Sequence, residues 1–332
     1  MIITRTPFRI SLFGGGTDYP VWYRENGGAV IGTTINKYCY ISCRYLPPFF
    51  NFRYRIRYTF KEEVNDVSEI KHPSVRECLN YLGIQHGVEM VHTSDLPAQS
   101  GLGSSSSFTV GFLNSLFALT GKIPTKRQIA RDAIHIEQDI IRENVGSQDQ
   151  TFAAFGGLNK IEFGGEKNFY VRPITISQEK VNLLQDHLML YFTGFSRNAS
   201  EIAAEQIKNS SSKKAQLTRM QELVGEAMEV LNGRPEDITK IGKLLHETWQ
   251  MKRELTKLIT TSTIDAIYNE AIRAGALGGK LLGAGGGGFM LFFAAPEAQP
   301  AVKEKLKDLL YVPFRFETMG TQVIMYSTQD FF

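Results

Sequence analysis

Leu96-Pro97-Ala98-Gln99-Ser100-Gly101-Leu102-Gly103-Ser104-Ser105-Ser106-Ser107-Phe108 combines the ingredients of a phosphate cradle. Gly101 and Gly103 can take positive φ without a Cβ penalty and let a ligand come close to the backbone. Ser104, Ser105, Ser106 and Ser107 open an apolar run from Phe108 to Leu119 that reads as a helix, so free N–H groups at its N-terminus point back into the loop. These donors and the positive end of the helix dipole favour an anion. The neighbouring hydroxyls can reach a phosphate oxygen or a phosphate-bound Mg2+. A flexible Gly/Ser linker is the alternative, but linkers are not usually bracketed by a proline stop and a buried helix.

Two other glycine loops are excluded. Gly278-Gly279-Lys280 is followed by Leu281 rather than Ser or Thr, so it is not a Walker A loop. Gly283 to Gly288 has the dinucleotide spacing, yet the strand-like run Phe289 to Ala295 follows where a helix should, and too little chain remains for a dinucleotide domain. The His-Arg-Asp and Asp-Phe-Gly signatures of protein kinases are absent.

The chain has 332 residues, enough for two domains, and its 42% hydrophobic and 21% charged residues are ordinary for a soluble globular protein. A formal net charge of +3 does not argue for nucleic acid and suits a small anionic substrate. Cys39, Cys43 and Cys78 are odd in number and form no Cys-x-x-Cys pair, which points away from disulfides and zinc and towards a reducing cytoplasm. The sequence shows neither an N-terminal apolar signal region nor a run long enough to span a membrane.

Met1 to Phe13 alternates as an opening strand, with Pro7 at an edge or bulge, and runs into Gly14-Gly15-Gly16-Thr17-Asp18-Tyr19. Gly16, Thr17 and Asp18 offer close backbone approach and oxygens suited to a hydroxyl-rich ligand; a plain turn capped by Asp18 is the alternative. Arg9, on a strand leading into this turn, could face a phosphate. Further strands are expected at Val30 to Arg44 and Phe52 to Phe60, the latter carrying Arg53, Arg55 and Arg57 on what reads as a solvated edge face. A helix over Lys126 to Arg142 places Glu137 inside an apolar stripe with Ala130, Ala133 and Ile134. A buried carboxylate needs a partner, either a metal ion or a nearby Arg. The polar turn Asn144 to Thr151 then brings Asp149 close in sequence, so the two carboxylates can share a site, one on a metal and one free as base. The pattern changes around Ile176 to Gln185, giving domains 1–178 and 179–332. Strands and helices without regular alternation indicate an α+β fold.

Three segments together, Pro7 to Asp18, the cradle, and Lys280 to Phe289, resemble the GHMP kinases, the superfamily of galactokinase, homoserine, mevalonate and phosphomevalonate kinases. Arg5 to Tyr19 with Lys280 to Phe289 is most similar to the branch that phosphorylates D-glycero-D-manno-heptose 7-phosphate. The resemblance implies a two-domain α/β sandwich with its active site in the cleft between the halves, using ATP and Mg2+. By position it implies that Gly101, Leu102, Gly103 and Ser104 to Ser107 wrap the ATP phosphates and that Ser105 and Glu137 hold Mg2+. Asp149 matches a catalytic base and Arg9 a residue beside the transferring phosphoryl group. Gly16, Thr17, Asp18, Gly285 and Gly286 fall at the acceptor site, and Arg197 is a candidate for its distal phosphate. The implied partners are a small sugar phosphate and ATP, without nucleic acid or membrane; a homodimer is compatible. Galactokinases carry Gly-Glu-His-Thr-Asp where this chain has Gly14 to Asp18, so galactose is disfavoured. Other readings are a fucose-type or other sugar 1-kinase and a non-catalytic sugar- and ATP-binding sensor.

Overall fold

The alternating first strand nucleates the larger of two sheets. A computed structural model describes residues 1–165, 168–194 and 199–327. β1 (Ile2–Phe13) pairs antiparallel with the eighteen-residue β2 (Gly28–Tyr45), and the register shifts between Pro7 and Phe8. The proline, which cannot donate to the ladder, therefore sits at a bulge. β2 serves two branches. Its second half pairs with β5 (Val88–Ser94), which leads through a parallel partner, β3 (Tyr54–Arg57), to β4 (Lys61–Val64). Its first half pairs with β6 (Leu158–Gly164), which carries β7 (Asn168–Pro173).

A second, four-stranded antiparallel sheet has the order β11 (Leu310–Tyr311), β8 (Leu188–Phe192), β10 (Phe289–Phe293), β9 (Gly278–Leu281). The inner strands alternate: Leu188, Leu190, Phe289, Leu291 and Phe293 join the same core as β1 and β2. Met189, Tyr191, Met290 and Phe292 face a separate core with Trp249 and Tyr268. The period of two thus lets one sheet serve two cores, and the halves of the molecule share buried apolar surface.

Helices cover both sheets: α1 (Pro20–Asn26), α2 (Pro73–Leu82), α3 (Ser104–Leu119), α4 (Lys126–His135) and α5 (Gln148–Phe155) in the first part of the chain, then α6 (Gln178–Asp186), α7 (Ala199–Asn209), α8 (Lys214–Asn232), α9 (Thr239–Leu255), α10 (Ser262–Arg273) and α11 (Gln299–Lys305). α3, apolar on nearly every side, is sandwiched against β1 and β2. Gly111 makes this approach possible, because a Cβ there would lie 2.6 Å from the Thr6 hydroxyl oxygen. Among the described residues no helix is long and apolar enough to cross a membrane.

Several elements differ from the sequence reading. The strand expected over 52–60 shortens to β3, and the helix expected over 126–142 breaks after His135 into a π-helical turn, Ile136–Ile140. The second half of the polar turn expected over Asn144 to Thr151 is the beginning of α5, with Asp149 in its first turn. The two terminal strands, β12 (Phe316–Glu317) and β13 (Gln322–Tyr326), leave the second half and pair with β2 and β1. Chain order alone therefore does not divide the molecule at 178.

Candidate active site

A cleft of about 300 Å3 opens where the end of β1, the N-termini of α3 and α5, α7, α9 and the 283–284 turn converge. Its floor begins at Gly103, which caps α3 with φ 76°. The first bond back into the loop is from Ser107 N–H to the Gly103 carbonyl, so the N–H groups of Ser104, Ser105 and Ser106 have no helical acceptor. With the helix dipole they form a compact anion seat. Of the predicted cradle, Gly101, Gly103, Ser104, Ser105 and Ser106 line the cleft. Leu102 and Ser107 turn inward instead: the Leu102 carbonyl accepts Arg9 N–H at 3.0 Å, and Ser107 Oγ donates to the Pro7 carbonyl at 3.0 Å.

The third glycine run braces this loop backbone to backbone. A Cβ on Gly283 would come within 2.4 Å of Gly101 Cα, and one on Gly288 within 2.3 Å of the Ser100 carbonyl oxygen. No side chain fits these positions, which is why they must be glycine. Gly285 and Gly286, expected at the acceptor, are buried and do not line the cleft; Gly286 N–H donates to the Ile259 carbonyl at 2.8 Å. Gly283 and Ala284 line it in their place.

Arg9 ties the parts together. Its Nε and Nη2 donate to the two carboxylate oxygens of Asp149 at 2.8 and 2.9 Å, and Nη1 donates to the Gly101 carbonyl at 2.8 Å. This bidentate clamp fixes a carboxylate 3.4 Å from where a Cβ of Gly103 would stand, at the mouth of the anion seat. Asp18 lies close by and is buried, with Oδ1 accepting Gly16 N–H at 2.9 Å. Burial, reinforced by the charge of Asp149, raises its pKa. Gly146 leaves the space for this carboxylate, since a Cβ there would sit 1.9 Å from Asp18 Oδ2. Thr17, expected to contact substrate, is fully buried and its hydroxyl is spent on the Gly14 and Ala29 carbonyls. It pins the glycine turn to β2 and does not reach the cleft. Arg197 lies outside the described residues.

Glu137 stands behind the seat, fully buried in the π turn. Its Oε2 accepts Ser106 Oγ–H at 2.8 Å and a short bond from Gln150 Nε2, while Oε1 has no hydrogen-bond partner among the described residues. Burial, then the charge of Glu143, pushes its pKa up to about 7. Among the described residues it has no basic partner, so the Arg pairing considered for it is not formed. The serine beside it is Ser106; Ser105, expected as its co-ligand, is exposed. The orphaned buried Oε1 and the Ser106 hydroxyl are hard oxygen donors and fit a magnesium ion.

Two cleft residues escaped the sequence reading. Lys252, from the apolar face of α9, donates to the carbonyls of Leu281 at 2.8 Å and Gly283 at 2.5 Å. Lys280, from β9, donates to the Leu12 carbonyl at 3.1 Å. Both are buried, and burial pulls both pKa values down, that of Lys280 to about 7. Lys252 was detectable in principle: it lies inside the helical stripe Leu245, Thr248, Trp249, Leu255, as Glu137 lies inside its own.

This fold and this cleft define a phosphotransferase with an anion seat at a helix N-terminus and a clamped carboxylate at its mouth. The chain belongs to the GHMP kinases: the model of the GHMP kinase N-terminal domain matches residues 70–157, and that of the C-terminal domain matches 221–312. The D-glycero-alpha-D-manno-heptose 7-phosphate kinase of Campylobacter jejuni is 30% identical over 97% of this chain and 98% of its own. The L-fucokinase/L-fucose-1-P guanylyltransferase of Bacteroides fragilis is 27% identical over 90% of this chain, which spans 35% of that longer protein. A crystal structure of a putative sugar kinase from Campylobacter jejuni superposes with a TM-score of 0.71 at 26% identity, covering 97% of each chain. The chain is thus a sugar kinase that uses ATP, built on the two-domain mixed fold of this family.

Proposed function

We propose that this kinase transfers the γ-phosphoryl group of ATP to the anomeric hydroxyl of D-glycero-D-manno-heptose 7-phosphate, giving the 1,7-bisphosphate. The observation that carries the reading is the Arg9–Asp149 clamp at the mouth of the α3 anion seat. The 30% identity to a heptose 7-phosphate kinase over 97% of this chain and 98% of that one supports the acceptor.

In this reading the free N–H groups of Ser104 to Ser106 hold the β- and γ-phosphates, and Glu137 with Ser106 would hold Mg2+. The ion supplies charge neutralisation on the phosphate oxygens. Asp149 accepts the proton of the acceptor hydroxyl while the hydroxyl oxygen bonds to the γ-phosphorus and the bond from that phosphorus to the ADP oxygen breaks. Arg9 orients Asp149 and places positive charge beside the transferring group. Gly15 and Gly16, which line the cleft without side chains, leave room for a seven-carbon acceptor, and Asp18 accepts hydrogen bonds from its hydroxyls. Residues 1–178 carry most of this machinery, and 179–332 contribute the third glycine run. The product would feed GDP-heptose synthesis for bacterial surface glycans in the cytoplasm.

Coupled ADP-release kinetics over heptose 7-phosphate, free heptose, L-fucose and galactose, with 31P NMR of the product, test the proposal. A higher kcat/KM on L-fucose would select the fucose-type reading, which the 27% identity to a fucokinase favours. Absence of turnover with every sugar would select the sensor.

A further inference from the structure

Lys252 and Lys280 present an imbalance that the reaction centre does not absorb. Each ammonium carries three donors. Lys252 spends two on backbone carbonyls and Lys280 one, so three of the six remain unspent among the described contacts. Neither lysine has a carboxylate at ion-pair distance among the described residues, yet both are more than nine-tenths buried and both line the cleft. The charges that act on Lys252 are those of Lys280, Arg9 and Asp18, and those that act on Lys280 are Arg9 and Asp18. Buried without a carboxylate partner, the two lysines are costly to keep charged, and an entering anion would offset that cost.

Their position indicates which anion. The nucleotide phosphates have their own donors in the N–H groups of Ser104 to Ser106 at the N-terminus of α3. Lys280 is bonded to the Leu12 carbonyl, two residues before the Gly14 to Gly16 turn that leads to Asp18, the turn which the reading above assigns to the acceptor. The arginines of β3 lie outside the cleft, and Arg55 is already paired with Glu63 and Glu89. The geometry points to Lys252 and Lys280 as the subsite for the non-reacting phosphate of the acceptor, an assignment that rests on the sugar-kinase reading above. A terminal phosphate ester has three oxygens for the three open donors, and its charge offsets the paired ammonium groups.

The test compares wild type, Lys280→Met, Lys252→Met and Lys280→Arg, each checked for folding by circular dichroism. Heptose 7-phosphate and free heptose are measured both as substrates and by calorimetric titration. On the 7-phosphate each Met variant should lose roughly ten- to a hundredfold in kcat/KM and in affinity, mostly through KM, with a much smaller loss on free heptose. Lys280→Arg, which keeps the charge, should recover most of the preference for the phosphorylated sugar. Equal losses on both sugars would overturn the assignment, because lysines serving the reacting phosphoryl group or only the fold cannot tell the acceptors apart. No loss on the 7-phosphate overturns it too, as does a wild type that fails to bind it. A wild type that binds the 7-phosphate through these lysines without phosphorylating it would keep the subsite and sink the kinase reading.

Discussion

Replacing Glu137 by Gln isolates the electrostatics of the buried carboxylate behind the anion seat. The side chain is fully buried with one oxygen unpartnered, and its pKa rises from 4.5 to about 7, a change equivalent to about 3 kcal/mol between the protonation states. The folded state therefore holds this proton more tightly than the unfolded chain. The contribution of this group to metal-free stability should be greatest below pH 4.5, fall by about 3 kcal/mol as pH rises to 7, and be flat above, which the difference between wild type and variant isolates from the other titrating groups. Glutamine is nearly isosteric and neutral, and its amide oxygen can still accept the Ser106 hydroxyl. The variant should therefore match wild type near pH 4.5 and melt several degrees higher at pH 8 in EDTA. Adding Mg2+ should raise the wild-type midpoint at pH 8 and leave the variant unmoved, while the variant's kcat falls. Differential scanning fluorimetry from pH 4.5 to 9 reads both effects. Parallel pH curves for the two proteins would refute the burial penalty, and an equal Mg2+ response would refute the ligand role.

Asp149→Asn should leave KM for ATP within a few-fold and lower kcat by about 10²- to 10⁴-fold, measured by coupled assay; near-full turnover would exclude Asp149 as the base. Arg9→Lys removes the bidentate geometry but keeps a charge, so kcat/KM should fall at least roughly tenfold and the melting midpoint should drop with the lost buried bonds, read by coupled assay and scanning fluorimetry. Gly283→Ala forces a Cβ to 2.4 Å from Gly101 Cα at φ 71°, so it should lower the melting midpoint and weaken ATP binding together. Unchanged values for both would show that the two loops can separate at no cost.

What the sequence determines here is what depends on neighbours along the chain. Glycines followed by serines and an apolar run specify a loop feeding a helix N-terminus, because backbone freedom and helix initiation are local properties. Helical periodicity alone placed Glu137 inside, since a residue's face follows from its spacing to the next few apolar residues. The resemblance of three motifs named the family. Choosing among four serines was beyond that reach: the π turn at Ile136–Ile140 and the rotation of α3 together put Ser106, and not the exposed Ser105, against Glu137. Thr17 and Gly286 look like ligand contacts on paper, yet long-range partners, Ala29 and Ile259, occupy their polar groups. The return of β12 and β13 to the first sheet, the clamp between Arg9 and Asp149, and the meeting of Lys252 with Lys280 in one cleft join residues distant in sequence. Such juxtapositions are decided by which sheets and helices share a core, a property of the whole packed chain that no single stretch encodes.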